Sequence, residues 1–276
     1  MRFIYITLLF CIFGFITFAQ NTKPNFSRKG NLVFNWGYNR AEFTKSNLHF
    51  IGKDYDFTIK NSVAKDAPTK FSWETYFSLV KLSIPQYNFT TGYYINDNIS
   101  ISLNIDHMKY VMQQNQVANI DGYINEVGNP YKTVYNNQPT TLTEDFLTFE
   151  HTDGLNYVSI EGAYTTNLYA SPKRHFQVEA MAGLSIGALV PKTNAKLFNH
   201  PRNDEFHLAG FGIAPRLGLN FVFFKKVFIQ TNLKGGWIDM PDIITRNKNL
   251  GDRAKQNFFF LQENVTFGFI TPIKKR

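Results

Sequence analysis

Two short phrases hold most of the side chains that could act together. Asp106-His107-Met108-Lys109-Tyr110-Val111 and Glu150-His151-Thr152-Asp153-Gly154 flank a polar segment, residues 112–153. Charge-assisted hydrogen bonds among Asp106, His107, Lys109, Glu150, His151 and Asp153 would fasten that segment at both ends. Asp106, Glu150 and Asp153 also offer the oxygen ligands that a hard divalent cation prefers. Anchoring is the expected role; no metal and no cofactor are expected. There is no His-Glu-x-x-His helix, no phosphate-binding glycine loop and no Gly-x-Ser-x-Gly elbow. The one cysteine, Cys11, lies in the apolar run Phe3–Phe18, so thiolate chemistry has no other residue to use. The remaining histidines, His49, His175, His200 and His207, stand singly in loops or at strand ends and read as solvated or interfacial residues rather than ligands.

Whether the two phrases meet depends on the elements that carry them. Apolar residues recur at every second position in several segments. In Asn98–Tyr110 the apolar set is Ile99, Ile101, Leu103 and Ile105, against Ser100, Ser102, Asn104 and Asp106. The same pattern runs through Asn31–Arg40, Gly154–Leu168, Phe176–Val190, Leu208–Phe223 and Val227–Trp237. A period of two means extended strands with one apolar face. These segments reach about 10 to 15 residues, longer than the usual ~5 to 6 of soluble strands and suited to tilted membrane strands. Their opposite face holds Glu161, Glu179, Arg216 and Lys234 among many Gly, Ser and Asn. A polar, partly charged face behind an unbroken apolar one fits a barrel with lipid outside and a polar lumen, where these four charges would pair. A sandwich would alternate too, but with shorter strands.

Composition agrees. Of 276 residues, 43% are hydrophobic, 16% aromatic and only 18% charged, against about 25% charged in an average soluble protein. Arg2, the apolar run and Thr17-Phe18-Ala19 together read as a secretory signal cut after residue 19, leaving residues 20–276 as the barrel domain. Its removal takes the formal charge from +8 to +7, with the basic residues scattered, so nucleic acid is not an expected partner. No later apolar stretch reaches the ~18 residues of a helical span.

The expected fold is an all-β, antiparallel, up-and-down transmembrane barrel of about ten strands, with eight or twelve as alternatives. Short connections at 95–98, 170–174 and 224–226 would face the periplasm. Long polar ones at 112–153, 191–207 and 240–255 would be external, which puts both histidine phrases near the external rim. To reach ten, Leu48–Lys60 and residues 71–80 are each counted as strands; Trp73, Phe77 and Val80 would equally suit helical turns. Strict alternation points His107, Lys109 and Glu150 outward, and Asp106, His151 and Asp153 inward. Glu263 falls among the lipid-side residues of the last strand.

The signal, the alternating strands, the turn Tyr93-Tyr94-Ile95-Asn96-Asp97-Asn98 and the Phe-rich final strand resemble small outer-membrane barrels of Gram-negative bacteria. Ile84-Pro85-Gln86-Tyr87-Asn88 and the two histidine phrases are similar to an uncharacterised group of such barrels in Bacteroidota. That resemblance implies the outer membrane, with lipid, lipopolysaccharide and other outer-membrane proteins as neighbours. His151, Thr152, Ser159 and Glu161 are weakly similar to the Ser, His and acid of barrel enzymes that deacylate lipid A. The close His-x-Ser spacing is missing, and His151 and Ser159 stand eight residues apart on one extended strand. A non-enzymatic barrel is therefore expected: a scaffold, a narrow channel or a subunit of a larger outer-membrane assembly. Rim deacylation is the alternative.

Overall fold

The computed structural model describes residues 27–78, 80–81, 84–202, 205–246 and 251–273, so the expected signal at 1–19 lies outside the described residues. Strands form in chain order as β1 (Asn31–Phe43), β2 (Ser46–Gly52), β3 (Tyr55–Ser62) and β4 (Ala64–Asp66). A one-turn helix, α1 (Trp73–Tyr76), precedes β5 (Tyr87–Tyr94), β6 (Ile99–Met112), β7 (Val117–Ile124) and β8 (Thr133–Thr141). Then follow β9 (Leu147–Ala170), β10 (Phe176–Leu189), β11 (Asn194–Leu197), β12 (Gly210–Phe223), β13 (Val227–Ile244) and β14 (Arg253–Pro272).

Eight of these strands close a ring in the order β1-β5-β6-β9-β10-β12-β13-β14, all antiparallel, with β14 pairing back onto β1 from Asn31↔Pro272 to Phe43↔Phe260. Closure leaves the wall without an edge. The outward residues are apolar and bare, among them Leu103 at 58% and Leu217 at 67% exposure. The inward ones are Asn, Gln, Ser, Thr and paired charges. This is a transmembrane barrel, and the short turns that join its wall strands, at 95–98, 171–175 and 224–226, lie at the end where the described chain begins and finishes.

The ring holds eight strands, the smaller of the alternatives to ten. Leu48–Lys60 is not a wall strand but a hairpin, β2 and β3 turning at Lys53-Asp54. Residues 71–80 supply α1 instead of a strand; Ser72 caps it by accepting from the Thr75 N–H at 3.2 Å. That capping bond satisfies a helix N–H that a strand would have offered to a ladder.

Beyond the membrane the wall continues. About 9 to 11 residues cross a bilayer as a tilted strand, yet β9 runs 24 residues and β14 runs 20. Their far ends pair with strands outside the ring: β2 and β3 come from the segment expected as one wall strand, and β7, β8 and β11 from the segments expected as polar loops at 112–153 and 191–207. β2, β3, β7 and β8 extend the sheet from β14, and β11 adds to β9 at Leu147–Glu150. The segment expected as a loop at 240–255 shrinks to residues 245–252, because β13 and β14 carry on past it. Physically, these segments are not loops because they bury apolar side chains. Phe50, Phe57, Ile120, Phe146, Phe149 and Phe198 pack together with Tyr110, Tyr157, Ile238 and Phe258 from the upper ends of wall strands. That core lies across the end of the barrel opposite the short turns between wall strands.

Glu263 faces outward with no bulge near it. Its cross-strand neighbour on β1 is Arg40, also exposed, so the two opposite charges stand side by side on the outer wall.

Candidate functional site

Below the aromatic core the lumen is lined by hydrogen-bonding side chains, and three ion pairs cross it. Lys234 Nζ donates to Asp106 Oδ2 at 2.5 Å, Arg216 pairs with Glu161, and Arg28 pairs with Glu179. All six groups are buried. Amide side chains join the pairs into a network. Arg216 also donates to Gln230 at 3.0 Å, Gln230 to Asn220 at 2.7 Å, Asn264 to Asn232 at 2.7 Å, and Asn39 to Asn88 at 2.9 Å. A buried charge is tolerated when it is paired and its remaining valences are bonded.

The four lumen charges read from the sequence, Glu161, Glu179, Arg216 and Lys234, all lie inside, but only Arg216 and Glu161 pair with each other. Arg28 was missed. It precedes the first strand and so has no alternation to reveal it. Its backbone N–H and those around it are fixed by the next turn: Asp97 Oδ1 accepts from Ser27 Oγ at 2.7 Å, from Arg28 N at 2.7 Å and from Lys29 N at 3.2 Å. The Arg28 guanidinium also lies 5.4 Å from the Tyr94 ring centroid. Tyr94 belongs to a second apolar cluster, with Val33, Val222, Phe228 and Ile270, at the short-turn end. Apolar layers thus bound the polar lumen above and below.

Little space remains between them. One cavity of about 30 Å3 touches Glu179, Arg216 and Gln230, and another of about 10 Å3 touches Asp106, Lys234 and Asn104. A water needs roughly 10 to 15 Å3 by this measure, so the spaces suit single waters. Such waters would satisfy Glu179 Oε2 and Arg216 Nε, which lack a hydrogen-bond partner.

The expected rim cluster is dispersed. Asp106 is in the lumen with Lys234, below the rim. His107 faces outward, stacked on Tyr87 at 4.9 Å, with Nδ1 2.8 Å from Asn156 Oδ1. Lys109 Nζ donates to the Ile84 carbonyl at 2.9 Å and to Thr69 Oγ1 at 3.1 Å. Glu150 accepts from Asn194 Nδ2 at 2.7 Å. Asp153 does not point inward, as strict alternation requires. The β6–β9 register jumps between Met108↔Leu155 and Tyr110↔His151, which leaves three β9 residues opposite Lys109. This bulge, with Gly154 at φ +136°, turns Asp153 out to an ion pair with Lys192 at 3.2 Å. His107, buried beneath Tyr87 and Asn156 on the outward face of β6, therefore has Lys109 and Asp153 as electrostatic neighbours.

His151 points inward as expected, but into the aromatic core. It is fully buried, 5.0 Å from the Phe149 ring and 5.6 Å from the Tyr110 ring, with Nδ1 3.0 Å from Thr193 Oγ1. Burial pushes its pKa down to about 3. Ser159 lies deeper, buried on the lumen face of β9, and Glu161 is taken by Arg216. The residues that resemble a deacylase set therefore point into the lumen and the core, not toward lipid. Among the described residues no group of three His, Cys, Asp or Glu is arranged to hold a metal ion.

Three of the single histidines face carboxylates. His49 meets Asp56, His200 meets Glu126 and His207 meets Asp242, each at 2.7 Å. His200–Glu126 ties two connections together, His207–Asp242 ties a connection to β13, and Arg246, 3.1 Å from Asp252 and 3.9 Å from Glu126, adds a further tie. Burial opposes the Glu126 carboxylate, but hydrogen bonds from His200 and Asn129 outweigh it and hold the group below its ordinary value.

No protein-family model matches the chain, and no curated protein matches it. Among solved structures it is similar to the outer membrane protein OprG of Pseudomonas aeruginosa, at 9% identity and a TM-score of 0.39 over 89% of this chain and 98% of that one. It is similar also to the outer membrane protein AlkL, at 9% identity and a TM-score of 0.40 over 93% and 97%. Ail, the attachment invasion locus protein of Yersinia pestis, gives 10% identity and a TM-score of 0.30 over 86% and 99%. Likeness at this level assigns no residue and no activity.

Proposed function

We propose that the protein is a non-conducting outer-membrane barrel that holds a rigid β-structured domain on the external face, as a scaffold or a subunit of a larger assembly. The observation that carries this reading is the aromatic core across the external end. Ala41, Tyr110, Phe149, Tyr157, Leu189, Ala214, Ile238 and Phe258 come from seven of the eight wall strands and meet there, all buried. An eight-stranded barrel is already narrow enough for side chains to fill, and here paired charges fill the middle and apolar layers close both ends. Solute would have to displace all three layers.

The same core makes the external part a folded unit. β14, β2, β3, β7 and β8 form one continuous sheet that ends at β8, where Asn137 takes φ +49° and Pro139 withholds an N–H. The His200–Glu126 and Arg246–Asp252 pairs fix the connections around it. A stiff external surface costs little conformational entropy when a partner docks.

Purified protein in planar bilayers provides the test. Membranes should stay at baseline conductance while the protein runs as a heat-modifiable band from the outer-membrane fraction. Stable ohmic steps from the folded band would overturn the sealed-barrel reading. Recovery only from the soluble periplasm would overturn the membrane assignment.

A further inference from the structure

The segment between β4 and β5 hangs outside the wall instead of joining the external core. α1 is fastened to the outer surface of the barrel: the Tyr38 hydroxyl donates to the Tyr76 carbonyl, and the two rings lie 4.7 Å apart. Lys109 grips the same segment from β6 through Thr69 and the Ile84 carbonyl. Tyr38 sits directly opposite Val265 on β14 and Tyr87 on β5. Val265 belongs to the exposed apolar wall, so α1 is docked at the upper part of the lipid-facing band.

What the segment shows to its surroundings is apolar. Trp73 is 72% exposed and Val80 91% exposed; Phe71, Phe77 and Ile84 are exposed with them. Phe71 meets the Trp73 ring edge-on at 5.6 Å and Phe77 stacks on it at 4.9 Å, so the three rings form one contiguous aromatic plate rather than scattered side chains. Beside the plate, Lys70 is exposed and Lys81 pairs with Glu74. In water such a plate would be unfavourable, and a contiguous exposed apolar patch marks an interaction surface. Its rings, with Lys70, Lys81 and Glu74 in the same short segment, have the aromatic and charged composition of residues that settle at a bilayer interface.

We infer that the α1 segment is a membrane-interface anchor, with the Phe71–Trp73–Phe77 plate inserted among the lipids of the outer leaflet beside the barrel wall. The occupant is lipid because the plate is continuous with the lipid-facing wall at Tyr38. The anchor would set the barrel's depth and hold the external domain at a fixed height above the membrane. This inference rests on the membrane-barrel reading.

The chain has three tryptophans, Trp36, Trp73 and Trp237. Two double variants separate the questions after reconstitution into phosphatidylcholine vesicles. Trp36→Phe with Trp237→Phe leaves Trp73 as the only emitter; Trp73→Phe with Trp237→Phe leaves Trp36 on the wall. Lipids brominated near the headgroup should quench Trp73 strongly, and acrylamide in the water should quench it several-fold less than it quenches the unfolded chain. Free acrylamide quenching of Trp73 with no bromolipid effect would overturn the anchor. So would protection from acrylamide that occurs in native membranes but not in pure lipid vesicles, because a protein partner would then cover the plate. Trp36 serves as the control. If bromolipid quenches neither tryptophan of the folded protein, the barrel reading fails; if it quenches Trp36 alone, only the anchor does.

Discussion

Lys234 and Asp106 meet at 2.5 Å across the full width of the barrel. Their strands, β13 and β6, stand at opposite points of the eight-membered ring and share no ladder. Arg28, just before β1, and Glu179 on β10 repeat the relationship nearer the short-turn end. Backbone hydrogen bonds hold neighbouring strands only, so these two pairs are direct links between opposite walls. Glu161 and Arg216 bridge a shorter distance, from β9 to β12 past β10.

Replacing Lys234 by Met should therefore be costly, because Asp106 would remain buried without its cation. Breaking a buried pair from one side costs about 3 to 5 kcal/mol. The Lys234→Met, Asp106→Leu double variant should recover most of that loss. Urea titration of the folded, fast-migrating band checks both. Equal midpoints for the single variant and the parent would show that the cross-lumen pair contributes nothing.

Arg216→Leu should destabilise the barrel for the same reason, with Glu161 losing its cation and Gln230 Oε1 keeping only the 3.3 Å bond from Asn232. Adding Glu161→Gln should restore part of the stability, since a neutral amide is cheaper to leave in the lumen than a carboxylate. Thermal unfolding followed by gel mobility measures the difference. A double variant less stable than the single one would contradict the pairing.

Closure at the β1–β14 seam depends on Gly37. A Cβ there would lie 2.1 Å from the Val265 carbonyl oxygen and 2.5 Å from the Thr266 Cα, both backbone atoms of the closing strand. Gly37→Ala should thus impair closure, seen as loss of the heat-modifiable band. Gly162→Ala serves as the control, because a Cβ there has no atom within 4 Å. Normal folding of Gly37→Ala would show that the seam can shift to accept it.

Acid should loosen the external domain before the barrel. His151 titrates at about 3 when folded, against an ordinary 6.5. Between those values the unfolded segment binds a proton that the folded one refuses. Stability of the external layer should fall as pH drops below about 6.5, by up to about 1.4 kcal/mol per unit, and level off near pH 3. Limited proteolysis should cut residues 113–146 faster as pH falls, and His151→Leu should remove much of that slope. A pH-independent cleavage rate in the parent would rule out His151 as the sensitive group.

Much of this molecule was legible without coordinates, and the reason is local. A pleated strand presents alternate side chains to opposite faces, so Ile99, Ile101 and Leu103 on one side and Ser102, Asn104 and Asp106 on the other already state which face is wet. That rule marks the wall strands and sets Glu161, Glu179, Arg216 and Lys234 on their polar face. Alternation turns His151 inward but says nothing of the aromatic core that surrounds it. Alternation points Asp153 inward and the structure turns it out, because a bulge beside Gly154 shifts the alternation by an amount that no period of two can reveal. Leu48–Lys60 alternates as well as a wall strand does, and only Gly52-Lys53-Asp54 hints at the hairpin.

The sequence alone thus determined that the chain forms antiparallel strands with one apolar and one polar face, because alternation is a property of each strand by itself. The tertiary structure decided how many strands close the ring, which charges become partners, and that aromatic residues of the outer segments meet in a core over the lumen. Those outcomes depend on ring order and on which inner faces come together after closure. Asp106 could find Lys234, 128 residues away, only once the ring had set them opposite each other.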